Sequence, residues 1–150
     1  MTLSQWLPIE AIRTSVAASD WRAAITASGE ALAASGATTD DYTQEMIETV
    51  EKLGPYIVIA PGLALAHSRP SPAVHRAGLS WVTLATPVAF GNAANDPVDL
   101  VIGLAALDHD GHLEMMSELA AVISEEETLA ALRAAKSAEE VQSVIDSVTQ

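Results

Sequence analysis

The chain has 150 residues, of which 49% are hydrophobic, 18% charged and 4% aromatic. This length and composition are typical of a globular domain with a sizeable core and exclude a disordered chain. Seven basic and 20 acidic residues give a formal charge of −13, which argues against nucleic acids and anionic membranes as partners.

A short strand and a helix are predicted near the amino terminus. Residues 12–16 alternate enough in polarity for an edge strand. Ser19 or Asp20 can cap the following helix, which runs to about Ser35, and Gly36 ends it.

A second helix is predicted from about residue 40 to Leu53. The segment 38–41 supplies capping oxygens and acidic charge at its start, and Gly54-Pro55 stops it. Its apolar side chains recur at helical spacing: Tyr42, Met46, Ile47 and Val50.

The next stretch is the one around which the chain is organised. Ile57–Ala60 is an apolar, β-branched run that predicts a core strand, and Pro61-Gly62 predicts a turn. A second apolar run then ends at His67, with Arg69 two residues later. We therefore expect His67 to lie at the rim of the core, beside a fixed positive charge.

Further strands are predicted in the middle of the chain. Residues 69–78 contain two prolines and no periodicity, which predicts an exposed loop. Residues 79–84 form a strand, and 87–91 add a short strand whose close spacing predicts an antiparallel neighbour. Residues 98–107 are strongly apolar and predict a central buried strand.

The last third of the chain is predicted to be helical. Residues 108–112 form a polar hinge before an amphipathic helix, and Ser-x-x-Glu capping boxes beginning at Ser124 and Ser137 start two more. The last helix should run from about residue 138 to 148. Strands interleaved with helices predict an α/β fold, with one domain over 1–150 and a mixed parallel and antiparallel sheet that has helices on both faces.

Histidine chemistry is the strongest functional signal. His67 ends an apolar strand, and His112 begins a helix, whose free N–H groups attract anions. Imidazole is a nucleophile that forms covalent intermediates. We hypothesise that His67 carries a phosphoryl group, with His112 and Arg69 offsetting its charge. His75 is interpreted as an exposed loop residue.

Two other interpretations stay open. His67 and His112 could be loop histidines without a role. Alternatively, His67, His109 and His112 could bind a metal ion beside two aspartates, although the helical His-Glu-x-x-His pattern is absent. Glycine-rich phosphate loops and the Gly-x-Ser-x-Gly elbow are also absent.

A longer pattern covers nearly the whole chain. It comprises Leu53–Pro70, Thr86–Gly91, Asn95–Val101, Ala105–Asp108, His112-Leu113 and the Leu119 helix, preceded by the Asp20-Trp21 helix start and the Tyr42–Val50 helix. This pattern resembles the EIIA components of the bacterial sugar phosphotransferase system. The similarity lies with the fructose–mannitol superfamily and most of all with its ascorbate-type branch.

The resemblance implies a mechanism and a set of partners. His67 would accept phosphate from the phosphocarrier HPr and pass it to a cysteine of EIIB, with His112 assisting. No metal or diffusible cofactor would be required. Mannitol-type members carry an arginine in the helix before the active-site strand, where this chain has Glu48, Thr49 and Val50. Arg69, as in ascorbate-type relatives, would replace that charge.

The absence of cysteine and of long apolar runs bears on these partners. With no cysteine, the chain contains no EIIB acceptor, disulfide or thiolate metal site. No apolar run approaches the roughly 20 residues of a membrane-spanning helix, and the amino terminus lacks the features of a secretory signal. We expect a cytoplasmic, free-standing EIIA that acts with a separate EIIB and the permease EIIC in uptake of ascorbate or a related sugar. The alternative is a regulatory module of the same fold, switched by histidine phosphorylation.

Overall fold

The computed structural model describes residues 2–149, and five strands of this part form one mixed sheet. The strands are β1 (Ile12–Val16), β2 (Val58–Ala60), β3 (Leu63–His67), β4 (Gly78–Val88) and β5 (Val98–Ala105). They lie in the order β1-β4-β5-β3-β2. The β1–β4 and β3–β5 pairs are parallel, whereas the β4–β5 and β2–β3 pairs are antiparallel.

Helices cover both faces of this sheet. They are α1 (Leu3–Trp6), α2 (Trp21–Ala34), α3 (Asp40–Leu53), α4 (His109–Ile123), α5 (Glu126–Ala134) and α6 (Ala138–Thr149). Helices α2 and α3 bury their apolar faces on one side, and α1, α4, α5 and α6 on the other. The predicted α/β fold with a mixed, doubly covered sheet is therefore confirmed. No helix of residues 2–149 has the length and apolarity needed to cross a membrane.

Helix α3 lies close to α2, which positions α3 beside the ends of β3 and β5. A Cβ atom added at Gly29 would lie 2.0 Å from Oγ1 of Thr43. Only glycine therefore fits this helix crossing. Gly54, with a φ of +87°, ends α3 in a backbone conformation that favours glycine, as the sequence predicted.

The prediction of a core strand over Ile57–Ala60 was wrong in one respect. The strand exists, but β2 has only three residues and lies at the sheet edge, with Ile59 45% exposed. β-Branched residues favour a pleated, half-buried surface, which an edge strand also provides, so their presence does not predict a central position in the sheet.

The short strand predicted over residues 87–91 was also wrong. Strand β4 continues to Val88, and its register with β5 shifts between Thr83 and Val88. This irregularity accommodates Pro87, which lacks a donor for a regular ladder. The loop over 69–78 is likewise less exposed than predicted, because Ala73 and Val74 are buried and Val74 forms a β-bridge with Thr38.

Three predicted caps differ in the structure. Thr39 precedes α3 without a side-chain capping bond, and α5 follows Glu125 rather than a Ser124 box. At α6 half of the box forms, since the amide of Glu140 donates to Ser137 Oγ at 3.1 Å. The Glu140 carboxylate accepts from the amide of Lys136 instead of Ser137.

Candidate functional site

A cleft of about 850 Å³ opens where the carboxyl ends of β3 and β5 meet the last turns of α3. Three of the four histidines line it, namely His67, His109 and His112, and so does Arg69. The parallel pairing of β3 with β5 brings these distant segments together, because it places both carboxyl ends at one edge. His75 is exposed and lies outside this lining.

His67 is the last residue of β3, opposite Leu104 of β5. Its Nδ1 atom lies 2.8 Å from the backbone carbonyl oxygen of Leu65. Because a carbonyl only accepts hydrogen bonds, Nδ1 carries the proton. The lone pair of the neutral ring is therefore on Nε2, and a nitrogen with a free lone pair can act as a nucleophile.

His112 lies in the first turn of α4, so the polar hinge predicted before this helix is shorter than expected. The helix begins at His109, and the Asp108 carboxylate caps it by accepting from the amide of Gly111 at 2.7 Å. The ring centroids of His112 and His67 are 6.1 Å apart. A phosphoryl group bonded to one ring would be within hydrogen-bonding reach of the other.

The electrostatic environment of His112 favours the neutral imidazole. Burial lowers the pKa of His112 below its usual 6.5, and the nearby His67 and His109 lower this pKa further. At neutral pH this ring can therefore accept or donate a hydrogen bond without adding a positive charge next to His67.

Tyr42 holds the chain immediately after His67. Its hydroxyl oxygen accepts from the amide of Ser68 at 3.0 Å, and its proton faces the carbonyl oxygens of Leu104 at 2.8 Å and Ser68 at 3.1 Å. Burial raises the pKa of Tyr42 to about 12. The sequence had placed Tyr42 only on the apolar face of a helix, and no local signal shows that its hydroxyl ties β3 to β5.

Thr49 contacts the same segment from α3. Its hydroxyl donates to the carbonyl oxygen of Glu45 at 2.8 Å, so the hydroxyl of Ser68, 3.1 Å away, must donate to it. Thr49 therefore lies on the side of α3 that faces the end of β3. It belongs to residues 48–50, the segment in which the sequence resemblance places an arginine in mannitol-type proteins.

Two residues that sequence reasoning did not select also line the cleft. Lys52 follows Thr49 by three residues, on the same side of α3. Tyr56 packs edge-on against His67, with ring centroids 5.8 Å apart and an interplanar angle of 84°. The helical spacing between Thr49 and Lys52 would have identified Lys52 as a residue of the cleft, but only once the packing of α3 against the end of β3 was known.

The metal-site alternative receives no support from this geometry. Within residues 2–149, no group of three or more histidine, aspartate or glutamate side chains is arranged to hold a metal ion. His67, His109 and His112 line one cleft without forming such a group.

A protein-family model matches the chain over residues 5–148. Its description is phosphoenolpyruvate-dependent sugar phosphotransferase system, EIIA 2. Among curated proteins, the ascorbate-specific PTS system EIIA component of Escherichia coli (strain K12) is 38% identical over 138 residues. That match covers 91% of this chain and 90% of the relative.

Two solved structures have the same fold. The mannitol-specific cryptic phosphotransferase enzyme IIA of Escherichia coli superposes with a TM-score of 0.87 at 32% identity, covering 98% of this chain and 99% of that one. The complex of enzyme IIAMTL with phosphorylated enzyme IIBMTL, also from Escherichia coli, matches with a TM-score of 0.79 at 26% identity. This second match covers 92% of the present chain and 95% of the other.

Proposed function

The chain belongs to the EIIA 2 family of the phosphoenolpyruvate-dependent sugar phosphotransferase system, and from this premise we propose that it relays a phosphoryl group on Nε2 of His67. The observation that carries the proposal is the 2.8 Å contact between Nδ1 of His67 and the Leu65 carbonyl oxygen. It supports the tautomer in which Nε2 has the lone pair that a nucleophile needs.

The relay consists of two balanced displacements at phosphorus. In the first, the Nε2 lone pair forms a bond to phosphorus while the bond between phosphorus and the donor HPr breaks, and the donor keeps that electron pair. In the second, a cysteine thiolate of a separate EIIB attacks the phosphorus and the electron pair returns to Nε2. The proton on Nδ1 stays hydrogen-bonded to Leu65 throughout, which stabilises the positive charge of the phosphorylated ring.

We assign His112 and Arg69 the role of stabilising the phosphoryl group during its transfer. The centroid separation of 6.1 Å allows His112 to donate a hydrogen bond to a phosphoryl oxygen on His67. Arg69 lines the same cleft two residues after His67, and its guanidinium can offset the charge of that group.

The relatives support the proposed transport system. The ascorbate-specific name of the Escherichia coli relative supports uptake of ascorbate or a related sugar. The complex of enzyme IIAMTL with phosphorylated enzyme IIBMTL supports a direct EIIB partner. The permease EIIC would select the sugar, and this chain would act in the cytoplasm between HPr and EIIB.

Phosphorylation by phospho-HPr tests the proposal. We expect an acid-labile, alkali-stable label on the wild type, no label on His67→Ala and slower labelling of His112→Ala. Addition of purified EIIB should then discharge the label. A wild type that takes no label would refute the relay. A labelled protein that keeps its phosphate in the presence of cognate EIIB would instead support the regulatory alternative, in which phosphorylation changes the affinity for another protein.

A further inference from the structure

The basic residues of this acidic protein differ in whether their side chains have an ion-pair or hydrogen-bond partner. Arginine side chains form ion pairs in three cases, Arg13–Glu30, Arg22–Glu51 and Arg133–Asp99, and Arg76 donates to the Ser35 carbonyl. Within residues 2–149, no ion pair or side-chain hydrogen bond is found for the other three, Lys52, Arg69 and Lys136. Two of these three, Lys52 and Arg69, line the cleft that contains His67.

The lining of the cleft has no net formal charge with its histidines neutral, unlike the acidic molecule as a whole. Its lining has two basic side chains and two acidic ones, Glu45 and Asp108, so the formal charge of −13 lies entirely elsewhere. The Asp108 carboxylate is engaged by the amide of Gly111. An incoming phosphoryl group therefore meets two basic side chains at this position and less repulsion than the net charge of the chain would suggest.

Lys52 occupies a side of α3 that already contacts the end of β3. Thr49 meets Ser68 at 3.1 Å, and Lys52 lies one helical turn further, in the last turn of α3. Arg69 enters the same cleft from the loop after β3. The two unpaired cations thus reach the site from two different elements, one on a helix and one on a loop.

We propose that Lys52 is a phosphoryl-binding residue of this site, whose ammonium group, together with Arg69, neutralises the phosphoryl group carried by His67. This inference rests on the proposed function, because it assigns a residue to the same transfer. A lysine in the last turn of a helix also stabilises that helix through its dipole. If Lys52 acted only through the helix dipole, it would affect the free energy of unfolding, but its environment would not depend on the phosphorylation of His67.

The chain has a matched control, because it contains only two lysines, Lys52 and Lys136. Single-turnover transfer from phospho-HPr should be slowed about tenfold in Lys52→Gln, the loss expected when one charge-assisted hydrogen bond to the transferring group is removed. Lys136→Gln should stay within about twofold of the wild type, and Lys52→Arg should recover most of the rate. A Lys52→Gln rate within about twofold of the wild type would overturn the proposal.

A second experiment does not depend on HPr. Reductive ¹³C-methylation keeps the charge of both lysines and gives each an NMR signal; because the α-amino group is labelled too, the signals lost in Lys52→Gln and in Lys136→Gln assign the two lysines. Potassium phosphoramidate then phosphorylates histidine without a protein donor. We expect the Lys52 signal to move and the Lys136 signal to stay, and His67→Ala should abolish the movement. An unmoved Lys52 signal in the phosphorylated wild type would refute the role of Lys52.

The two experiments separate the two possible failures. If phospho-HPr labels the wild type but Lys52 responds in neither experiment, the proposed function stands and the inference about Lys52 is wrong. If phospho-HPr does not label the wild type but the Lys52 signal moves with phosphoramidate, the relay from HPr fails and the phosphoryl-binding role of Lys52 stands.

Discussion

Replacing Tyr42 by phenylalanine should destabilise the protein by removing a single buried hydroxyl group. The ring is fully buried and phenylalanine fills the same space, so the substitution leaves no large cavity. What is lost is the acceptor for the Ser68 amide at 3.0 Å and the donor for the carbonyl oxygens of Leu104 and Ser68.

The expected loss of stability can be worked from these contacts. A hydroxyl has one proton, so it satisfies one of the two carbonyls at a time while it accepts from the Ser68 amide. The variant therefore leaves one buried donor and one buried acceptor unpaired, at about 1–3 kcal/mol each. We expect the free energy of unfolding to fall by about 2–6 kcal/mol, which corresponds to a decrease in Tm of roughly 4–24 °C for a chain of this size.

Urea unfolding of two variants tests this magnitude. Tyr56 is the only other tyrosine, and it is 46% exposed. Tyr56→Phe keeps the ring that packs on His67 and should change the free energy of unfolding by less than about 0.5 kcal/mol. If Tyr42→Phe and Tyr56→Phe unfolded at the same urea concentration as the wild type, the hydroxyl of Tyr42 would have no role in joining β3 to β5.

Three further predictions concern protons. Because burial raises the pKa of Tyr42 to about 12, stability should fall as the pH rises from about 10 to 12, by up to about 1.4 kcal/mol per pH unit. Tyr42→Phe should lose that part of the slope, and an identical slope would contradict the assignment. Long-range ¹⁵N NMR should show His67 protonated on Nδ1, whereas an Nε2–H tautomer would contradict the bond to Leu65. NMR titration should show that His67→Ala raises the pKa of His112, because the variant removes one cause of its depression, and an unchanged pKa would exclude that coupling.

The sequence predicted those parts of the site that depend on strand ends and helix starts. Apolar runs ending at His67 and near residue 107 indicate two buried strands, and His112 follows the second. Once these strands pair in parallel, their ends share one edge of the sheet, so the approach of His67 to His112 follows from the topology.

The rest of the site depends on tertiary contacts that leave no periodic signal. The hydroxyl of Tyr42 bonds backbone groups of residues 68 and 104, far away in the chain. Its helical spacing is the same as that of an ordinary core residue. Similarly, Pro87 breaks the local strand pattern, but the pairing of β4 with β5 overrides this break. Local propensity could not have predicted either feature.

The lowered pKa of His112 bears on the role proposed for the two unpaired cations of the cleft. Burial and the neighbouring histidines lower this pKa, so at neutral pH the His112 ring contributes hydrogen-bonding nitrogens but little positive charge. A phosphoryl group carries close to two negative charges at this pH, which a neutral His112 ring cannot balance. Guanidinium and ammonium groups remain charged at neutral pH. In a chain with a net charge of −13, the proposed roles therefore separate two tasks: His67 would carry the phosphoryl group, and Lys52 and Arg69 would balance its charge.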